Sequence, residues 1–210
     1  DSDAPGFPEA MLRFYEDLLA AQGAADADIP RFALNADTAR GFFTLVAHLE
    51  RAPQKPLALK GQITGPFTLT TGIRDGRGRA IIYEDQLRDA AVKLIALKAG
   101  WQARRLAAFG RPVIISIDEP ALTGFGSSEF ISISRGDVAA GLGEVVDAVH
   151  AAGGLAAVHV CANTDWSILL GSSIDIVSFD AYAYFERFIL YREELKRFLV
   201  FMRPAFSRRA

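Results

Sequence analysis

His159 and Cys161 stand two residues apart in LAAVHVCANTDW, where an apolar run reads as a buried strand and the pair falls at its end. Side chains alternate across an extended strand, so residues i and i+2 project to the same side. An imidazole and a thiolate so placed can converge on one metal ion, and zinc suits that nitrogen and sulfur pair best. Asp180 ends the next strand-like segment, IDIVSFDAY. Parallel neighbours lie about 4.8 Å apart, which puts its carboxylate within reach of an ion held by the pair, unless it caps the helix that follows. Three protein ligands with one open position is the layout of catalytic zinc. A substrate thiol in that position would be held as a thiolate at neutral pH. The competing reading of the pair is a buried histidine bonded to a carbonyl beside an inert cysteine.

A second group of candidates is acidic and amide-bearing. Asp118 and Glu119 in SIDEPAL form a carboxylate pair at a strand end; because neighbours alternate, one of the two should face the ligand, where it can bind an ammonium group or act as a base. Gln62 and Thr64 in QITGPFT precede the Gly65–Pro66 turn, where a glycine lets backbone approach a ligand closely. Asn163 or Thr164 is expected to cap a short helix after the H-x-C pair, with Trp166 packed and Asp165 hydrogen-bonded behind the site. His150 falls in the last turn of a helix, where its charge favours the dipole, and His48 lies on an amphipathic helix near Arg51; neither is assigned chemistry.

The elements that must position these residues alternate. Helical spacing runs from about Pro8 to Gly23 and again through DTARGFFTLVAHLERA, then the period shortens to a strand over Pro56–Gln62. A loop, GIRDGRGR, leads to the longest helical pattern, Glu84–Gly110, followed by the strand PVIISIDEP. A helix in SRGDVAAGLGEVVDAVHAAGG has Ser134 and Asp137 at capping-box spacing. Then come the strand LAAVHVC, a short helix NTDWSILLG, the strand IDIVSFDAY, one helix over YFERFILYREELKRFL, and VFMRP as the start of a further strand. Apolar strands alternating with longer helices are the mark of parallel βαβ units. A doubly wound sheet and a (β/α)8 TIM-type barrel both fit. The barrel is favoured because polar residues gather at the strands' C-terminal ends, where barrel sites are built, and no G-x-G-x-x-G loop follows any strand. With four to five strands, the chain reads as an incomplete barrel forming a single domain over 1–210.

Half of the 210 residues are hydrophobic, and the formal net charge is −2. That balance favours neither nucleic acid nor an anionic membrane as partner. No apolar run approaches the roughly 20 residues that span a bilayer, the N-terminal segment lacks signal-peptide features, and a cytoplasmic location is the expectation. A single cysteine excludes an internal disulfide and leaves Cys161 available as a thiolate.

KGQITGPFT, IDEPAL, and HVC followed by a D-x-V-x-x-D strand, in that order, resemble the C-terminal catalytic domain of cobalamin-independent methionine synthase and its shorter relatives, in the uroporphyrinogen decarboxylase-like barrel superfamily. The resemblance extends over about 56–199. It implies a methyltransferase of methionine biosynthesis in which His159, Cys161 and Asp180 bind zinc. A homocysteine-like thiol would be activated there and methylated from a folate or a corrinoid protein. Asp118 would hold the substrate ammonium, with Gln62 and Thr64 alongside and Glu119 a catalytic neighbour. The family usually has glutamate at the position of Asp180, and its second cysteine ligand and later histidine have no counterpart here. Two other readings stand beside it: a metal-free decarboxylase-like barrel relying on Asp118 and Asp180, and an incomplete barrel acting as a metal-binding or assembly module whose open sheet edge favours a homodimer.

Overall fold

The computed structural model describes residues 2–23, 30–54 and 56–207. Two helices, α1 (Phe7–Gly23) and α2 (Arg40–Arg51), lead into β1 (Leu59–Thr64), α3 (Pro66–Gly72) and the long α4 (Asp85–Ala107). The chain continues through β2 (Val113–Asp118), α5 (Arg135–Ala151), β3 (Leu155–Val160), α6 (Trp166–Leu170), β4 (Ile176–Phe179), α7 (Ala181–Phe188) and α8 (Arg192–Ser207). It is an α/β protein with one parallel four-stranded sheet in the order β1-β2-β3-β4.

That order has a geometric consequence. Each crossover steps one strand in the same direction, and βαβ connections are right-handed, so the connecting helices fall on one face of the sheet. A doubly wound sheet needs a reversal of strand order, and none occurs among these four strands. On the helix-covered face, Leu59, Val113, Ile115, Ile117, Ala156, Val158 and Val160 join one core with Ala99, Ala103 and Leu106 of α4 and Leu142, Val145 and Val149 of α5. Gly61 belongs to this face because a larger residue would not fit. A Cβ there would stand 2.8 Å from both Gln102 Oε1 and Ile115 Cδ1.

Local signals explain the boundaries. The Glu84 side chain accepts from Leu87 N to cap α4, and Ser134 with Asp137 forms the reciprocal capping box of α5. Gly153, at φ 76°, makes the left-handed turn after α5 that a side chain would oppose. Gln102, on α4 and only 1% exposed, uses both ends of its amide on β1: Oε1 accepts from Gln62 N at 3.3 Å and Nε2 donates to Gln62 O at 3.2 Å.

Three expectations are corrected. VFMRP does not begin a strand: α8 runs through it, set up by acidic residues in its first turn and the i,i+3 pairs Glu193–Lys196 and Glu194–Arg197. The described residues therefore contain four strands, with no fifth. The continuous helix expected over YFERFILYREELKRFL is two, α7 and α8, divided at Ile189–Tyr191. The turn-rich TGP opens a short helix, α3, with Pro66 in its first turn.

Candidate active site on the open face of the sheet

The face opposite the helices is lined by the alternate residues: Lys60 and Gln62 of β1, Ile114, Ser116 and Asp118 of β2, Ala157 and His159 of β3, and Ile176 and Ser178 of β4. Together they bound a concavity of about 470 Å³. Strand register arranges them in rows. Gln62 lies beside Ser116, Ser116 beside Ala157 and Ala157 beside Ile176, while Thr64, Asp118, His159 and Ser178 form the next row toward the strands' C-terminal ends.

Asp118 is the hub of this face. Its Oδ1 accepts from Ser116 Oγ at 3.0 Å, and its Oδ2 accepts from Gln62 Nε2 in a short hydrogen bond. Two neutral donors fix the carboxylate in place on this face. Beside it on β3, His159 Nδ1 is 3.0 Å from Ser178 Oγ on β4. That contact orients the ring and leaves Nε2 for a ligand.

Glu119 turns the other way. It is 1% exposed, and its carboxylate accepts from Phe67 N at 2.9 Å, Thr68 N at 2.8 Å and Thr68 Oγ1 at 2.7 Å, gripping the start of α3. Its own N–H donates to His159 O at 2.9 Å, and Gly65 N donates to Asp118 O at 2.7 Å. A Cβ on Gly65 would overlap the Glu119 carboxyl group. Burial raises the Glu119 carboxyl from its ordinary 4.5 to about 7, against the lowering effect of its three donors and with a further push from the Asp118 charge. Of the acidic pair, Asp118 faces the concavity and Glu119 does not. The expectation of Glu119 as a catalytic group gives way to a carboxylate that ties together the loops after β1 and β2.

Cys161 lies one residue past β3 and is exposed. Asp180 is taken up locally: it is the N-cap of α7, with Oδ1 accepting from Tyr182 N at 3.1 Å and Ala183 N at 3.3 Å. The third position expected for zinc is thus held by a helix end. Among the described residues no group of three His, Cys, Asp or Glu side chains is arranged to hold a metal ion. His159 and Cys161 offer two donors of suitable type, and the residues present do not make a complete three-ligand site.

Neighbouring expectations sort in the same way. The cap of α6 is Asp165, which accepts from Ser167 N at 3.1 Å, rather than Asn163 or Thr164. Asn163 Oδ1 instead accepts from Trp166 Nε1, and Thr164 Oγ1 donates to Leu122 O. Trp166 is fully buried. His150 Nε2 pairs with Asp175 Oδ2 at 2.7 Å, away from the site. Ser116, Ser178 and Lys60 were not among the candidates singled out in the sequence. Counting back two residues from Asp118, Asp180 and Gln62 finds all three, because the strand period is two.

No protein-family model matches the chain, and neither a curated protein nor a solved structure matches it.

Proposed function

We propose that this chain is the substrate-facing part of a (β/α)8 barrel and acts as a methyltransferase of the methionine synthase type on a homocysteine-like thiol. The observation that carries the reading is Asp118, a carboxylate fixed by Ser116 and Gln62 at the end of β2 and aimed into the concavity on the open face of four adjacent parallel strands. A carboxylate held this way suits the ammonium group of an amino acid. His159 and Cys161, next along the same end of the sheet, would supply two protein ligands to zinc, and zinc when bound holds a thiol as its thiolate. The methyl donor in this reading is a folate or a methylated corrinoid protein, and a barrel of this kind closes with more strands than these four.

Calorimetry with homocysteine as the probe, together with metal analysis of the purified protein, tests it. Binding that weakens at least tenfold in Asp118→Asn, with zinc present in the wild type and lost in Cys161→Ser, is the expected result. Homocysteine binding unchanged by Asp118→Asn, or no zinc taken up by the wild type, overturns it.

A further inference from the structure

A second cavity lies away from the open face. It encloses about 710 Å³ between the start of α5, the α6 crossover and α8, and shares no lining residue with the concavity around Asp118. Arg135 and Arg197 reach it from different helices. Ser167 and Ser172 add hydroxyls, while Leu170 and Phe198 supply an apolar surface.

Both guanidinium groups are steadied at one edge. Arg135 Nη1 is 3.3 Å from Asp165 Oδ2, the acid that caps α6. Arg197 donates from Nε to Glu193 O at 3.2 Å and has Nη2 3.5 Å from Glu194 Oε1. A guanidinium carries five N–H donors in a rigid fork, so each retains donors after these contacts. Among the described lining residues two arginines stand with one acid, Glu194, and Asp165 sits beside Arg135 just outside the lining, so the cavity's draw on an anion comes from the unused guanidinium donors. Its volume lies in the range of small-molecule sites.

We infer that this cavity binds a phosphate-bearing ligand with an apolar ring, of about nucleoside monophosphate size. The two forks take the phosphate oxygens in the bidentate manner that distinguishes arginine from lysine. Leu170, itself 4% exposed, and Phe198 pack the ring; the Ser167 and Ser172 hydroxyls, whose protons go to Asp165 Oδ1 and Leu169 O, are left to accept from ligand donors. Since the cavity is on the helix side of the sheet, occupancy there is separate from ligand binding at Asp118.

The test is calorimetry and thermal-shift titration of the whole chain with AMP, adenosine and inorganic phosphate. AMP is expected to bind saturably in the micromolar to low-millimolar range and more tightly than either half alone. Arg135→Met and Arg197→Met should each weaken it at least tenfold, while Asp118→Asn leaves it unchanged. Both arginines are more than half exposed, so their loss should leave the unfolding temperature without ligand close to that of the wild type. Absence of saturable AMP binding up to 10 mM (a concentration of about ten times the weakest expected Kd on the affinity scale), equal binding by inorganic phosphate, or binding that survives both substitutions overturns the inference.

Discussion

Removing the charge from Glu119 should change how stability depends on pH more than it changes the fold. In the folded chain the carboxyl is raised from 4.5 to about 7 because it is buried. Between those values the folded state keeps a proton that the unfolded state has released, so stability falls as pH rises. The contribution is fully present below pH 4.5 and lost once pH passes about 7. At about 1.4 kcal/mol per pKa unit, a shift of this size corresponds to about 3 kcal/mol. Screening by solvent takes little from it, since the group is 1% exposed. Glu119→Gln keeps the shape and one acceptor but cannot ionise. Urea unfolding of both proteins at half-unit steps from pH 4.5 to 8 isolates the effect, because titrating groups that do not interact with Glu119 cancel in the difference. The variant should lose stability relative to wild type at low pH and recover about 3 kcal/mol of that deficit by pH 8. A difference that stays constant within about 0.5 kcal/mol across the range, small against the roughly 1.4 kcal/mol of one pKa unit, would refute the reasoning.

Other expectations concern single contacts. Gly65→Ala places a methyl group inside the Glu119 carboxyl and should cost about 1–3 kcal/mol, the usual range for overpacking; chemical denaturation at neutral pH measures it, and a neutral effect would mean that the β1 loop moves freely. Ser134→Ala breaks the reciprocal cap of α5 and should cost about 1 kcal/mol, read by the same assay. Exposed Cys161 should react rapidly with maleimide after chelator treatment, and added zinc should slow labelling at least tenfold if it and His159 hold the ion; mass spectrometry follows the modification, and an unchanged rate counts against ligation by Cys161.

The alternation of elements was legible because each carries its own period and its own stops: α4 between Glu84 and Gly110, α5 after the Ser134–Asp137 box, and β2, β3 and β4 as short apolar runs. The sequential parallel order was legible only as a class of fold, since pairing partners are set by packing and not by local pattern. Asp118, Gln62 and His159 stand out in the sequence because residue type and strand position agree, and the sheet brings them to one face. Asp180 takes the second of the two roles that the sequence leaves open: strand parity aims it with Ser178, but the chain turns into α7 directly after Phe179, and free helical N–H groups capture the carboxylate. Glu119 illustrates the other limit. Parity separates it from Asp118, whereas only three-dimensional packing reveals that the start of α3 comes over it with three donors.

Gln102 has a consequence for association. Odd-numbered positions of β1 face β2, as Leu59 N on Pro112 O and Gly65 N on Asp118 O establish, so the N–H and C=O of Gln62 point outward along the free side of the strand. There the Gln102 amide meets both, presenting the same donor and acceptor as a peptide group of a neighbouring strand. A foreign segment seeking to extend the sheet beyond β1 must first dislodge this buried glutamine at the strand's middle, whereas the described residues place no such plug along β4. The two margins of one sheet are therefore unequal templates, and Gln102→Ala would make the guarded one sticky.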